Sequence, residues 1–341
     1  MSTIKEIAKH ANVSIGTVSN VVNKRAAVSP KRRERVMAAI RDLDYHPNQV
    51  ARSLKTKQTR MLGMVVSDIT NPFFPQMVRG AEDAALKHNY LLISFNTDDH
   101  IDREKHVISV LRNRRVDGLL LVVAASNGDF VHIRETQKSG LPIVCMDRLP
   151  DGIEVDSIAV DNLAGTRSCI EHLIAMGHKK IAFITGPMNL QTASERLLGY
   201  RQAMEQASLT PNPDLIRVGD FHVEAGYRMG REILAGSTRP TAIFVASNTL
   251  ALGALRALSE LGLRCPEDVA VAMFDDFPFA DVFRPQLTAV AQPAYSIGYQ
   301  GAELLIQRIE GSQKDPSPIR IRLKTELKIR ESTARYRFSL P

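Results

Sequence analysis

Residues 3–24 read TIKEIAKHANVSIGTVSNVVNK. Thr3 with Glu6 three residues later is the pattern of a capping box, and Ile7 and Ala8 follow on what becomes the packed side of a helix. That helix stops near Ala11 and Asn12, and Ser14 stands where it can cap a second helix after a very short turn. In the second helix Val18, Val21 and Val22 recur at spacings of three and four, so one face can pack. Ser14, Ile15, Gly16, Thr17, Ser19 and Asn20 are left pointing outward. A solvated helix normally carries mixed charge; this face has no Asp and no Glu, which suits a negative partner. Two short helices joined by such a turn are the signature of a helix-turn-helix, whose second helix enters the DNA major groove by its N-terminal residues.

The net charge of +7 is concentrated at this end of the chain. Residues 1–60 hold 13 Lys and Arg against 4 Asp and Glu, whereas the remaining 281 residues hold 31 against 33. A small basic module joined to a neutral body is the electrostatic footprint of a nucleic-acid binder. A third helix is expected after Ser29 as cap and Pro30 in the first turn, with KRRERVMAAIRDLDY (31–45) supplying Val36, Ile40 and Leu43 to a small core. Next comes HPNQVARSLKTKQTR (46–60), which can form a helix of about two turns capped by Asn48, too short to persist alone in water. A basic segment with one large apolar residue, Leu54, suits an element that folds on DNA and wedges that side chain into a minor-groove step. An ordinary flexible linker has the same composition.

A chain of 341 residues with 44% hydrophobic residues can bury a large core and should hold two or three folding units. No apolar run reaches the roughly 18 residues of a membrane span, and MSTIKEIAKH (1–10) lacks the apolar region of a signal peptide, so a cytoplasmic location is expected. Cys145, Cys169 and Cys265 sit far apart without metal-ligand spacing and are read as reduced and structural. No metal and no cofactor is expected.

The stretches TIKEIAKHANVSIGTVSNVVN (3–23), YHPNQVARSLK (45–55) and GMVVSDITNPFF (63–74) resemble the lactose-repressor family (LacI/GalR type) of bacterial transcription regulators, and the similarity runs through almost the whole chain. The resemblance implies a homodimeric repressor on a palindromic double-stranded operator, with a hinge helix whose leucine, here Leu54, opens the minor groove at the centre. It also implies that Ile15, Gly16 and Asn20 hold base-reading positions, with less hydrogen-bonding capacity than in many relatives. The residues expected at the DNA are Thr3, Ser14, Ile15, Gly16, Thr17, Ser19, Asn20 and Asn23 from the bundle, and Ala51, Arg52, Leu54 and Lys55 from the hinge. The expected divisions are 1–47 for the helix-turn-helix domain, 48–60 for the hinge helix or linker, and 61–341 for effector binding and dimerisation.

In the body the apolar runs MLGMVVSD, LLISFN, GLLLVV, PIVCMD, KIAFITG, AIFVAS and VAVAMFDD alternate with helical patterns such as MVRGAEDAALKHN (77–89) and LGALRALSELG (252–262). The alternation predicts an α/β architecture of parallel sheets covered by helices. Length favours two doubly wound lobes, meeting near Asp161 and Asn162, behind the all-α N-terminal domain. The resemblance adds a periplasmic-binding-protein-like arrangement with further crossings near Gln292–Pro293 and around 323–325. One lobe then takes about 61–161 and 293–323, the other about 162–292 and 324–341.

Ligands of open α/β sheets bind beyond the carboxyl ends of the strands. Those ends carry Asn71, Phe73, Phe74, Asp147, Arg148, Asp161, Arg196, Phe221, Asn248, Asp275 and Gln292. Planar polar side chains match vicinal hydroxyls in bidentate fashion, and aromatic faces accept the C–H faces of a sugar ring. Singly, Asp161 and Asp275 could be helix caps, Arg148 a salt-bridge partner, and Phe73 and Phe221 core residues. Asp161 apart, the set resembles the sugar contacts of ribose-binding periplasmic proteins, and Leu190 stands where purine-sensing relatives have an arginine. The expectation is a small sugar, a ribose-like pentose first, with a hexose or a purine as the alternative. A sugar-binding transport protein is opposed by the basic first 60 residues. Enzyme chemistry lacks support: there is no glycine-rich phosphate loop, no Ser-His-Asp elbow and no H-E-x-x-H motif.

Overall fold

A computed structural model describes residues 3–22, 28–45, 58–312 and 315–334. The chain divides into two compact units, residues 1–59 and 60–341. Asn23, Ala51, Arg52, Leu54 and Lys55, and with them the expected hinge helix, lie outside the described residues.

The first unit is a three-helix bundle of α1 (Ile4–His10), α2 (Ile15–Val22) and α3 (Pro30–Asp42). The capping box is present: Thr3 Oγ1 accepts from Glu6 N, and Glu6 Oε2 accepts from Thr3 N at 2.7 Å. Ile7, Ala8 and Ala11 of the first turn-and-helix pack against Val18 and Val21 of α2 and Val36 and Ala39 of α3. Ser29 occupies the cap position of α3, but its side chain makes no capping hydrogen bond; Pro30 starts the helix with a fixed φ, and its lacking N–H leaves one donor fewer to satisfy.

The second unit contains two six-stranded sheets with strand orders β11-β5-β4-β3-β1-β2 and β12-β10-β9-β8-β6-β7. In the first sheet run β1 (Met61–Val66), β2 (Leu91–Asn96), β3 (Gly118–Leu121), β4 (Ile143–Met146), β5 (Asp156–Val160) and β11 (Arg320–Leu323). Its helices are α4 (Phe73–Lys87), α5 (Ile101–Asn113), α6 (Val131–Lys138) and, from late in the chain, α11 (Ala294–Ile309). The second sheet holds β6 (Ile181–Thr185), β7 (Ile216–Val218), β8 (Ala242–Val245), β9 (Ala270–Phe274), β10 (Thr288–Ala291) and β12 (Glu326–Lys328). Around it lie α7 (Asn162–Ala175), α8 (Gln191–Gln206), α9 (Val223–Leu234) and α10 (Asn248–Glu260). All pairings are parallel except β10 with β12.

Both sheets share one winding, with the second strand of each half on the outside and the first and third adjacent. Period-two alternation sorts β1 between two cores: Leu62, Met64 and Val66 pack with Met77 of α4 and Ile297 of α11, while Val65 packs with Ile108 and Leu111 of α5. The chain passes between the sheets after β5, after β10 and between β11 and β12. These crossings bring the carboxyl ends of both sheets to one cleft, with the switch point of each winding facing it.

Candidate functional site

In the first unit, the amino end of α2 presents Ser14, Ile15 and Gly16 to solvent, with Ile15 46% exposed. Ser14 Oγ accepts from Thr17 N at 3.2 Å, and Thr17 Oγ1 stands 3.0 Å from it, so the first turn is capped by the residues that start it. Thr17, Ser19 and Asn20 are half-buried. No acidic residue occupies the first turn, leaving the positive end of the helix dipole for a phosphate or a base edge.

In the second unit, β4 ends in Asp147 and Arg148, both buried. Asp147 adopts a left-handed backbone (φ 62°), and its Oδ1 meets no hydrogen-bond partner. Burial pushes its pKa up to about 6, against the opposing pull of Arg148 and Arg196. Arg148 is held by Ser67 Oγ at 2.9 Å and by Asp99, and its guanidinium lies 5.8 Å from the ring of Phe221, which belongs to the other lobe.

Facing them, Arg196 reaches out of α8. Its Nε donates to Asn162 Oδ1 at 2.9 Å, its Nη1 to the carbonyl of Ala246 at 2.6 Å, and its guanidinium carbon lies 3.7 Å from the centre of the Phe274 ring. Asp275 Oδ2 sits 3.8 Å from Arg196 Nη1, and Asp275 Oδ1 accepts from Gln292 Nε2. Asp275 too is left-handed (φ 69°), and burial raises its pKa against the pull of Arg196 and the Gln292 bond. Gln292 Oε1 and Asn248 Nδ2 are buried without partners, while Asn248 Oδ1 accepts from Thr249 N. Asn71 Oδ1 accepts from Phe73 N at 3.0 Å and so starts α4, where the rings of Phe73 and Phe74 meet edge to face at 5.2 Å. A cavity of about 340 Å³ lies against Phe73, Gln76, Asp275 and Gln292, walled by Asp276 with Lys328 and Arg330.

Nine of the eleven residues expected around an effector thus converge through shared contacts or a shared cavity wall, and Asn248 lies buried at the start of α10 with its Nδ2 unpartnered. Asp161 is the correction. It is exposed, and its carboxylate accepts from Ala164 N at 2.9 Å, so it caps α7. Four supporting residues escaped the sequence reading: Ser67, Asp99 and Asn162, which hold the two arginines, and Ser126. Ser126 Oγ accepts from Gln191 N at 2.9 Å and Ser126 N donates to Asn189 O at 2.9 Å, both across the cleft. Each follows a strand and is polar, which was the available signal. Among the described residues there is no His, Cys, Asp and Glu cluster fit for a metal ion and no helix long and apolar enough to cross a membrane. The three cysteines are free thiols.

Residues 3–48 match the lacI family of bacterial regulatory proteins, and residues 170–333 match a periplasmic binding protein-like domain. The ribose operon repressor of Halalkalibacterium halodurans is 36% identical over 98% of this chain and 97% of its own. The chain belongs to the lacI family. The HTH-type transcriptional repressor PurR of Aliivibrio salmonicida is 38% identical over 91% of this chain and 93% of its own. Among solved structures, the lac repressor dimer bound to operator and an anti-inducer superposes with TM-score 0.87 at 29% identity, covering 98% of this chain and 99% of that one. A lacI-family regulator from Enterococcus faecium with bound ribose superposes with TM-score 0.72 at 30% identity over 81% of this chain and 100% of that one. As a lacI-family member the chain is a DNA-binding transcriptional repressor and not an enzyme.

Proposed function

We propose that this repressor responds to a small neutral sugar, a ribose-like pentose, held between the lobes of the second unit, and that it binds a palindromic operator as a homodimer in the cytoplasm. The observation that carries the effector reading is the complement of unpartnered buried atoms: Asp147 Oδ1 and Gln292 Oε1 can each accept, and Asn248 Nδ2 can donate. A hydroxyl both donates and accepts, so vicinal hydroxyls supply all three partners, with Phe73 and Phe221 available to the ring's C–H faces. Asp147 and Asp275 beside the two arginines leave little net charge for an anion to balance, which favours an unphosphorylated ligand. Leu190, buried at the amino end of α8, offers no polar contact to a purine. The name of the ribose operon repressor and the ribose bound to the Enterococcus faecium regulator support the same choice.

Calorimetry of the full-length protein against D-ribose, other pentoses, hexoses and purines tests this reading, with D-ribose expected to bind most tightly. Tight purine binding, or a hexose preferred over every pentose, refutes it. Selection of operator DNA from a random pool, with and without D-ribose, should return a two-fold symmetric site. Recovery of unpaired half-sites contradicts the dimeric reading.

A further inference from the structure

Arg196 belongs to α8, yet the group that aims it stands at a crossing between the lobes. Asn162, which accepts from Arg196 Nε, is the first residue of α7, where the chain has just left β5 of the other sheet. An asparagine amide can present oxygen or nitrogen, and here a second partner decides: Asn162 Nδ2 donates to Glu195 Oε2 at 3.0 Å. A carboxylate only accepts, so turning the amide would set its N–H groups against the guanidinium and its oxygen against Glu195. Glu195 Oε1 in turn accepts from Gln191 Nε2 at 2.6 Å and lies 3.7 Å from Arg322 Nη2. Arg322 sits on β11 in the first sheet, and its Nη1 donates to the carbonyl of Val160 at the end of β5. Two of the three crossings therefore terminate on the group that orients Arg196.

We propose that Asn162 and Glu195 are positioning residues that aim Arg196 into the cleft, and that the contact of Glu195 with Arg322 of the first sheet makes this aim depend on the angle between the lobes. Asn162, on α7, travels with α8 and Arg196 as part of the second lobe, whereas separation of β11 from α8 removes Arg322 from Glu195. With the lobes as they stand, the guanidinium is already oriented when a ligand arrives, so its ordering is not charged against binding. Where the lobes part, Glu195 loses Arg322, its hold on Asn162 and so on Arg196 loosens, and a ligand that needs this arginine binds the two arrangements unequally, which is the requirement for shifting between them. For its ligand the inference rests on the pentose reading; for the orientation of Arg196 it does not.

Nitrogen-15 spectra of the arginine side chains in the ligand-free, full-length protein give a ligand-independent test, with the Arg196 signal assigned from Arg196→Lys. The Nε–H of Arg196 should exchange slowly with solvent in the wild type, and fast in Asn162→Ala and Glu195→Ala. Glu195→Gln, which keeps an acceptor for Asn162 Nδ2, should restore most of the protection. Calorimetry with D-ribose should show about tenfold weaker binding for Glu195→Ala. Adding Arg322→Gln to Glu195→Ala should weaken binding no further, since both act through one contact. Unchanged Arg196 exchange in both alanine variants would falsify the positioning role, and independent, additive losses from Arg322→Gln and Glu195→Ala would remove the link to the crossing. A wild type that ignores D-ribose but shows the expected exchange pattern overturns the pentose reading and leaves the positioning role supported.

Discussion

Asp147 connects backbone conformation to ligand affinity at the scale of one residue. Its buried carboxylate, raised to about 6, has one oxygen free to accept a hydroxyl proton. Under the proposed function, affinity for D-ribose should fall as pH drops through about 6 and the carboxylate takes up a proton. Folding stability should respond oppositely. Because the folded pKa lies above the unfolded one, the contribution of Asp147 is fully present below the ordinary aspartate value of 3.8 and is lost as pH rises through about 6. Comparing wild type with Asp147→Asn isolates both effects: the variant should lose the pH dependence of calorimetric affinity in this window, and a wild-type affinity flat across it refutes the assignment. Truncation makes a second prediction. Arg196→Ala or Asp275→Ala leaves buried partners unpaired, at about 1–3 kcal/mol or more, hence roughly tenfold or greater loss of affinity by calorimetry. Affinity within twofold of wild type in both variants would exclude them as ligand contacts. At this scale the sequence revealed the residues that end strands, because a carboxyl end is a fixed place in an α/β fold. Asp161 sits at such a place too, but the first turn of a helix begins there, and capping claimed its carboxylate. Asn162 and Ser126 were not legible because their partners lie on remote segments.

At the scale of elements, each lobe is clamped by a pair of helices crossing on glycines. A Cβ on Gly298 of α11 would lie 1.8 Å from the carbonyl oxygen of Met77 in α4, and one on Gly226 of α9 would lie 2.2 Å from that of Leu250 in α10. Backbone cannot yield as a flexible side chain does, so Gly298→Ala must push α11 off α4 and strain the first sheet's core. Loss of about 1–3 kcal/mol of stability is expected in denaturant unfolding, in the range for overpacked cores. An unchanged midpoint would show that the helices separate freely. The buried strands were plain in the sequence because strands covered on both faces read as continuous apolar runs, as in GLLL (118–121) and AIFV (242–245). β11 and β12 were not read as strands, since edge strands carry charge: in RIRL, Arg320 is exposed while Ile321 and Leu323 pack inward. LLISFN is the strand the sequence predicts, but not a buried one. Apart from Ser94 and Asn96 its run is apolar, yet β2 is a sheet edge with Leu91 61% exposed.

That exposed edge becomes meaningful at the scale of the whole molecule. An apolar edge strand left open invites uncontrolled pairing, and natural proteins cover such edges. The second unit also leaves Phe279 and Val282 exposed, at 47% and 69%, in the segment between β9 and β10. A single helix-turn-helix reads few base pairs, and specific operator affinity normally comes from two half-sites engaged together. A second copy of the chain answers both requirements: it buries apolar surface and supplies the second reading helix. Leu91→Lys and Val282→Lys place charge where such contact would exclude water, and a desolvated unpaired charge costs several kcal/mol. The doubly substituted protein should sediment as a monomer where the wild type sediments as a dimer. Its operator affinity should drop steeply while calorimetry still finds one D-ribose site per chain, because the cleft is built from residues of one chain. Should the variant remain dimeric, the interface lies elsewhere on the surface. A wild type that sediments as a monomer at concentrations saturating its operator would separate DNA recognition from dimerisation altogether.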